Sequence, residues 1–126
     1  MTEPALLALH AQQIERYGGA HGVRDQNVVL STLARPANLR AYDPSADLAE
    51  LVAAYLVGFV QSQGFDDGNK RTGLATALVF LLLNGSPLHV PPPELYALTT
   101  TVTTGKADDA VVAAYIRDRL GRGSHV

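Results

Sequence analysis

The chain of 126 residues contains no cysteine. It therefore cannot form a disulfide bond or a thiolate zinc site, and its composition is compatible with a reducing cytoplasm. It also lacks an excess of positive charge, since its formal net charge is −2. General nucleic-acid binders and membrane-surface binders normally present a basic face, so we expect no direct nucleic-acid or membrane partner.

Long hydrophobic runs are missing as well. The longest, LATALVFLLL at residues 74–83, is too short to cross a bilayer, which needs about 20 residues. The first residues, MTEPALLALH, have neither the basic start nor the long apolar core of a secretory signal. We therefore expect a cytoplasmic protein. Its hydrophobic content of 47% can supply a core, and its length predicts a single domain over residues 1–126.

Helix signals dominate the sequence, and no stretch is typical of a sheet. Prolines and aspartates stand where helices begin, and glycines stand where they end. The predicted helices run from Pro4 to about Tyr17, over residues 26–34, from a cap at Asp47 to about Ser62, from about Asn69 to Leu83, from Pro93 to about Thr103, and from Asp108 or Asp109 to Leu120.

The third and fourth of these helices are mostly apolar. The stretch LAELVAAYLVGFVQS carries one charge, Glu50, and the body of the next helix is similarly apolar. A helix that is apolar on nearly all sides is buried on most of them. The sequence therefore predicts an all-α fold, a compact domain of about six helices around two central buried helices.

Two segments are predicted to lie outside the helices. Residues 35–46, RPANLRAYDPSA, contain two prolines and little periodicity. A helix usually stops before a proline, so this segment is predicted to be an irregular arm. Residues 121–126, GRGSHV, are predicted to be a frayed tail.

The connection between the two central helices, QGFDDGNKR at residues 63–71, has the composition of a phosphate site. A helix N-terminus exposes unpaired N–H groups that attract anions, and Gly68 leaves room for a phosphate. Lys70 and Arg71 stand where cations are unfavourable unless an anion is present. Asp66 and Asp67 could hold Mg²⁺. An ordinary turn with a capped helix fits the same residues, and Phe65 is predicted to anchor the loop in the core.

This connection resembles the signature of the Fic/Doc family, which runs histidine, any residue, phenylalanine, any residue, an acid, glycine or alanine, asparagine, glycine or lysine, and arginine. The matching residues are Phe65, Asp67, Gly68, Asn69, Lys70 and Arg71. A lysine at the position of Lys70 is the mark of the Doc branch. The segments LLALHAQQIERYGG and LVFLLLNG also resemble Doc segments, so the resemblance covers most of the chain.

The resemblance implies a small helical toxin of a toxin–antitoxin pair, held silent by a cognate antitoxin. Doc-type members transfer the terminal phosphate of ATP to elongation factor Tu and stop translation. By this resemblance Asp67 holds Mg²⁺, while Asn69, Lys70, Arg71 and the backbone at Gly68 bind the phosphates of ATP. The arm at residues 35–46 corresponds to the region that lays the target alongside the enzyme. Transfer of AMP, the activity of Fic members, is an alternative that Lys70 disfavours.

The family's histidine falls on Gln63, and this is the main departure from the signature. That histidine takes the proton of the attacking hydroxyl, whereas a carboxamide has no useful basicity. Losing a general base typically costs about 10² to 10⁴ in rate. Three interpretations stay open: an inactivated variant, a degenerate member that binds nucleotide or protein without catalysis, or a base supplied from elsewhere. None of the other histidines has a spacing that predicts a place beside the loop, and His10 is predicted to be structural.

Overall fold

The computed structural model describes residues 2–62, 64–65 and 68–123, and this part of the chain folds into six α-helices without a strand. The helices are α1 (Glu3–Tyr17), α2 (Gln26–Tyr42), α3 (Leu48–Ser62), α4 (Asn69–Leu83), α5 (Pro92–Thr103) and α6 (Asp109–Gly123). A single antiparallel bridge pairs Val23 with Phe65. The predicted all-α fold of about six helices is confirmed.

Helix α3 forms the centre of the domain. Every residue from Leu51 to Val60 is buried, and the helix packs against α2, α4, α5 and α6. Apolar residues on all sides of one helix require neighbours on all sides, which is the arrangement found here. The prediction that this helix lies at the centre is confirmed.

Helix α4 is buried on one side only. Its buried residues are Thr72, Gly73, Thr76, Ala77 and Leu81, whereas Leu82 and Leu83 are 62% and 72% exposed. The prediction that α4 is buried on most sides therefore holds only in part, because most of its remaining residues are half-buried. Helices α1, α3 and α5 contact α4, and within the described residues they leave an apolar stripe of it open to solvent.

Helix α2 continues through Pro36 to Tyr42, so the prediction of an irregular arm from residue 35 is wrong for residues 35–42. A proline inside a helix removes one hydrogen bond and costs about 3 kcal/mol or more. Tertiary contacts offset this cost, because Pro36 is buried and α2 packs along α3. In addition, Arg35 Nη1 donates to the Ala54 carbonyl at 2.9 Å, and Arg35 Nη2 lies 3.0 Å from Asp109 Oδ2.

The last helix is also longer than predicted. Helix α6 extends to Gly123 rather than ending at Leu120, so residues 121–123 of the predicted frayed tail are helical. Residues 124–126 lie outside the described part of the chain.

Helix α3 begins with a reciprocal cap, as predicted from Asp47. The Glu50 N–H donates to Asp47 Oδ1 at 2.9 Å, and the Asp47 N–H donates to Glu50 Oε1 at 3.4 Å. Two otherwise unpaired N–H groups are satisfied in this way. Arg117 of α6 donates to Asp47 Oδ2 at 2.6 Å, so the same carboxylate joins the start of α3 to α6.

This contact predicts an acid-sensitive contribution to stability. The hydrogen bond from Arg117, opposed by burial, holds the pKa of Asp47 below its ordinary value of 3.8. A lowered folded-state pKa stabilises the protein above the unfolded-state pKa, and this stabilisation is lost as pH falls through the folded-state pKa. We expect Asp47→Asn, which keeps a good cap, to lose less stability than the parent between about pH 6 and about pH 2. Urea unfolding across this range measures the difference.

The control for this prediction is Arg117→Gln, which removes the other partner. It should reduce the acid-induced loss of stability by a similar amount, and the double variant should behave like either single one. Equal losses in the parent and in Asp47→Asn would contradict the assignment.

Candidate functional site

The connection between α3 and α4 is held against the start of α2. The Gly64 carbonyl accepts hydrogen bonds from the N–H groups of Arg24 and Asp25, at 2.9 and 3.1 Å. A Cβ atom at Gly64 would lie 2.8 Å from Val29 Cγ2, closer than real Cβ contacts allow. Glycine is therefore required where this connection passes α2.

Phe65 fixes the connection in the core, as predicted. Its side chain is fully buried and stacks on His10, with ring centroids 3.8 Å apart and planes at 9°. Phe59 of α3 lies on the same cluster, with its centroid 6.4 Å from that of Phe65. Contacts from α1 and α3 thus determine where the connection lies.

Asn69 locks the connection to the first turn of α4. The Phe65 N–H donates to Asn69 Oδ1 at 3.1 Å, and Asn69 Nδ2 donates to the Phe65 carbonyl at 3.0 Å. This reciprocal pair gives Asn69 a definite structural role in shaping the site. Its predicted contact with a phosphate stays a prediction.

Helix α4 begins after a glycine. Its N-cap is Gly68, which has φ 77° and makes no side-chain cap hydrogen bond. A Cβ atom at Gly68 would lie 3.0 Å from Ile14 Cδ1, so the left-handed backbone and the tight contact with α1 both favour glycine. Because Gly68 has no side chain, it cannot itself cap the first-turn N–H groups of α4, and uncapped N–H groups at a helix start bind anions.

The two bases of the motif are in different environments. Lys70 is exposed, whereas Arg71 is half-buried and its Nη2 donates to the Gly18 carbonyl at 3.0 Å. The same guanidinium lies over the Tyr17 ring, 5.4 Å from its centroid. Carbonyls at the end of α1 carry partial negative charge, so they compensate Arg71 without a bound anion. An anion is therefore not needed to explain Arg71, and the prediction of a bound anion rests on Lys70 alone.

The position of the family histidine and the predicted metal ligand are not among the described residues. Gln63, Asp66 and Asp67 lie outside them, so the catalytic position at Gln63 and the magnesium ligand Asp67 stay predictions. Within residues 2–62, 64–65 and 68–123, no group of three histidine or acidic side chains could hold a metal ion.

A sequence model of the Fic/DOC family matches residues 1–81, the part of the chain that contains the connection and most of α4. The chain belongs to the Fic/Doc family. Its relatives include "Protein kinase doc" of Escherichia phage P1, 39% identical over 116 residues, which are 92% of this chain and 91% of that protein. "Toxin Doc" of Mycolicibacterium smegmatis is 37% identical over 73 residues, which are 57% of this chain and 56% of that protein.

Both relatives carry the Doc name. This agrees with the prediction from Lys70, which placed the chain in the Doc branch of the Fic/Doc family. The sequence prediction of this family and branch is confirmed. Among the helices that the structure describes, none is long and apolar enough to cross a membrane.

In this Fic/Doc chain one histidine does lie beside the motif. The prediction that no histidine has this position is wrong for His10, which stacks on Phe65 and whose Nε2 would be 3.8 Å from a Cβ atom at Gly68. His10 is 4% exposed. A base for a protein hydroxyl must come within hydrogen-bond reach of it, and the buried ring of His10 is closed to such a substrate. Its predicted structural role is in agreement with this burial.

The open side of α4 forms an apolar groove, which we call the α4 groove. It has a volume of about 680 Å³ and runs between α1 and α5 to Arg71. The lining residues are Gln13, Tyr17, Arg71, Leu74, Ala75, Leu78, Pro93 and Tyr96. This groove was not predicted from the sequence, because the sequence of an apolar helix does not show whether another element covers its face.

Proposed function

We propose that this chain is a Doc-type toxin with a site of the protein-kinase class, which transfers the γ-phosphate of ATP to a hydroxyl of elongation factor Tu and blocks translation. The names of its two relatives support the toxin and kinase assignments. The observation that carries the site is the glycine N-cap of α4, which has no side chain to cap the helix, with the exposed Lys70 in the first turn. This arrangement suits a polyphosphate.

Different residues of the site bind the phosphates and the Mg²⁺ of Mg–ATP. First-turn N–H groups of α4, Lys70 and Arg71 bind the phosphates, and Gly68 lets them approach the backbone. Asp67 holds Mg²⁺, which neutralises phosphate charge when bound. Phe65 and Asn69 keep the N–H groups in place, because the reciprocal hydrogen bonds between them fix the turn before nucleotide binds.

Gln63 limits the rate of phosphate transfer at this site. Phosphoryl transfer depends mainly on positioning and charge stabilisation, so a site without its base retains binding and some turnover. The carboxamide can orient a hydroxyl but cannot accept its proton. We therefore assign severely impaired transfer to this chain. A non-catalytic nucleotide-binding or protein-binding member of the family is the second candidate, and Gln63 is the observation that favours it.

Residues 22 and 23, before α2, are better suited to align a protein target than residues 35–46, most of which are helical. Val23 already forms the antiparallel bridge with Phe65 and is exposed. An extended segment beside a site can add a target strand by main-chain hydrogen bonds. We therefore assign target alignment to residues 22 and 23, since the N–H groups of Arg24 and Asp25 are already bonded to the Gly64 carbonyl.

The α4 groove is the surface that we assign to the cognate antitoxin. It is apolar and open, and exposed apolar patches of this kind mark interaction sites. It also reaches Arg71, so an antitoxin segment in the groove would lie against the site and could silence it.

Binding of Mg–ATP tests the nucleotide assignment. We expect the parent chain to bind Mg–ATP, and Lys70→Ala to weaken the affinity about ten- to hundredfold, because a charge-assisted contact with phosphate is lost. Asp67→Ala should remove the dependence of the affinity on Mg²⁺. Isothermal titration calorimetry measures all three.

The matched control is Lys106→Ala, since Lys106 is the other lysine of the chain and is exposed in the turn between α5 and α6. It removes the same charge at a distance from the motif in sequence and should leave the affinity unchanged. Absence of Mg–ATP binding to the parent chain would refute both the kinase and the nucleotide-binding assignments. An equal loss in both lysine variants would show a general charge effect instead.

A further inference from the structure

We propose that Tyr17 is a positioning residue for Arg71, which rests on the proposed function because Arg71 is there a phosphate ligand. Tyr17 is the last residue of α1, and its ring lies under the Arg71 guanidinium at 5.4 Å. This distance is within the range in which a cation is attracted to an aromatic face.

A second contact restrains the same guanidinium. Arg71 Nη2 donates to the carbonyl of Gly18, the C-cap of α1, at 3.0 Å. The guanidinium lies over the Tyr17 ring while the Gly18 carbonyl accepts from one of its N–H donors. Together these contacts limit the rotamers of a side chain that would otherwise lose conformational freedom when it binds a phosphate.

Tyr17 is not part of the hydrophobic core. The ring is 60% exposed, and the buried residues of α1 are Leu6, His10 and Ile14. An aromatic ring that is mostly in water contributes little to the stability of the fold. Besides lining the α4 groove, Tyr17 contacts Arg71, and core packing does not explain this contact.

The consequence is a partly preorganised ligand. Arg71 belongs to the first turn of α4, where repulsion from the helix dipole would favour other rotamers. The end of α1 supplies the opposite partial charge and holds the guanidinium at Tyr17 and Gly18. Removing the ring should therefore weaken phosphate binding without unfolding the protein.

The test compares Mg–ATP affinities of Tyr17→Leu, Tyr17→Phe and Tyr42→Leu with that of the parent, by calorimetry. Tyr42 is the last residue of α2 and is 91% exposed, so its replacement makes the same chemical change at another exposed helix end. We expect Tyr17→Leu to weaken the affinity about two- to fivefold. Tyr17→Phe, which keeps the ring, and Tyr42→Leu should stay at the parent value.

A readout without nucleotide separates this inference from the proposed function. The ¹⁵Nε–H resonance of Arg71 in the free protein should shift in Tyr17→Leu and stay in place in Tyr42→Leu. If the resonance is unchanged in Tyr17→Leu, the inference is overturned. If the parent binds Mg–ATP and the resonance shifts in Tyr17→Leu but its affinity for Mg–ATP is unchanged, the inference is overturned as well. If the parent does not bind Mg–ATP, the proposed function is wrong, and the resonance alone decides whether Tyr17 holds the guanidinium.

Discussion

Replacing Gln63 by histidine is expected to raise the rate of phosphate transfer from ATP to elongation factor Tu by about 10² to 10⁴. An imidazole that titrates near neutrality accepts the proton of the attacking hydroxyl, and a carboxamide does not. The other parts of the site are present in this sequence, since six positions of the family signature match. The substitution therefore supplies the one missing chemical function.

The measurement is incorporation of label from γ-labelled ATP into purified elongation factor Tu by the parent and by Gln63→His. Gln63→Asn is the matched control, because it changes the side chain but adds no base, and it should stay at the parent level. Gln63→His combined with Lys70→Ala should lose the gain, since the phosphate ligand is absent.

Two outcomes would change the assignment. Equal labelling by the parent and by Gln63→His would mean that the base is dispensable or lies elsewhere, and the interpretation of Gln63 would be wrong. No labelling by either chain, with Mg–ATP binding intact, would favour the non-catalytic nucleotide-binding member.

Phe65→Ala is expected to have the largest effect on the fold around the site. It should lower the free energy of unfolding by about 3 to 5 kcal/mol, the usual cost of removing a buried aromatic ring. The substitution empties the position against which His10 and Phe59 pack. The backbone of the same residue holds the Asn69 side chain, so we also expect Mg–ATP affinity to fall at least tenfold as the turn loses its fixed shape.

Urea unfolding and calorimetry under conditions where the variant is folded measure the two effects. Ile116→Ala is the control, because Ile116 is buried in α6 and its truncation should cost about 2 to 5 kcal/mol. This control should keep the parent affinity for Mg–ATP. If Ile116→Ala weakens binding as much as Phe65→Ala does, general loss of stability explains the effect and the anchoring role of Phe65 is refuted.

Local signals in the sequence were sufficient for much of the fold. The bounds of α4 follow from Gly68 at its start and Asn84 at its end, and the start of α3 follows from the cap at Asp47. Caps and turns involve residues that are close in sequence, so their chemistry can be recognised without a structure. The motif, with Phe65 as its anchor, was recognisable by its resemblance to the family signature.

Long-range contacts decided the rest. Helix α2 passes Pro36 because packing on α3 offsets the local cost of the proline, and no local signal reports such packing. The stack of His10 on Phe65 and the contact of Arg71 with the end of α1 join residues more than 50 positions apart. Whether α4 is covered or open depends likewise on which helices lie beside it. The sequence by itself therefore determined the all-α class, most of the helix bounds and the family signature. The tertiary structure decided how far α2 extends, what holds the motif and which apolar face stays exposed, because these depend on surfaces that meet only after folding.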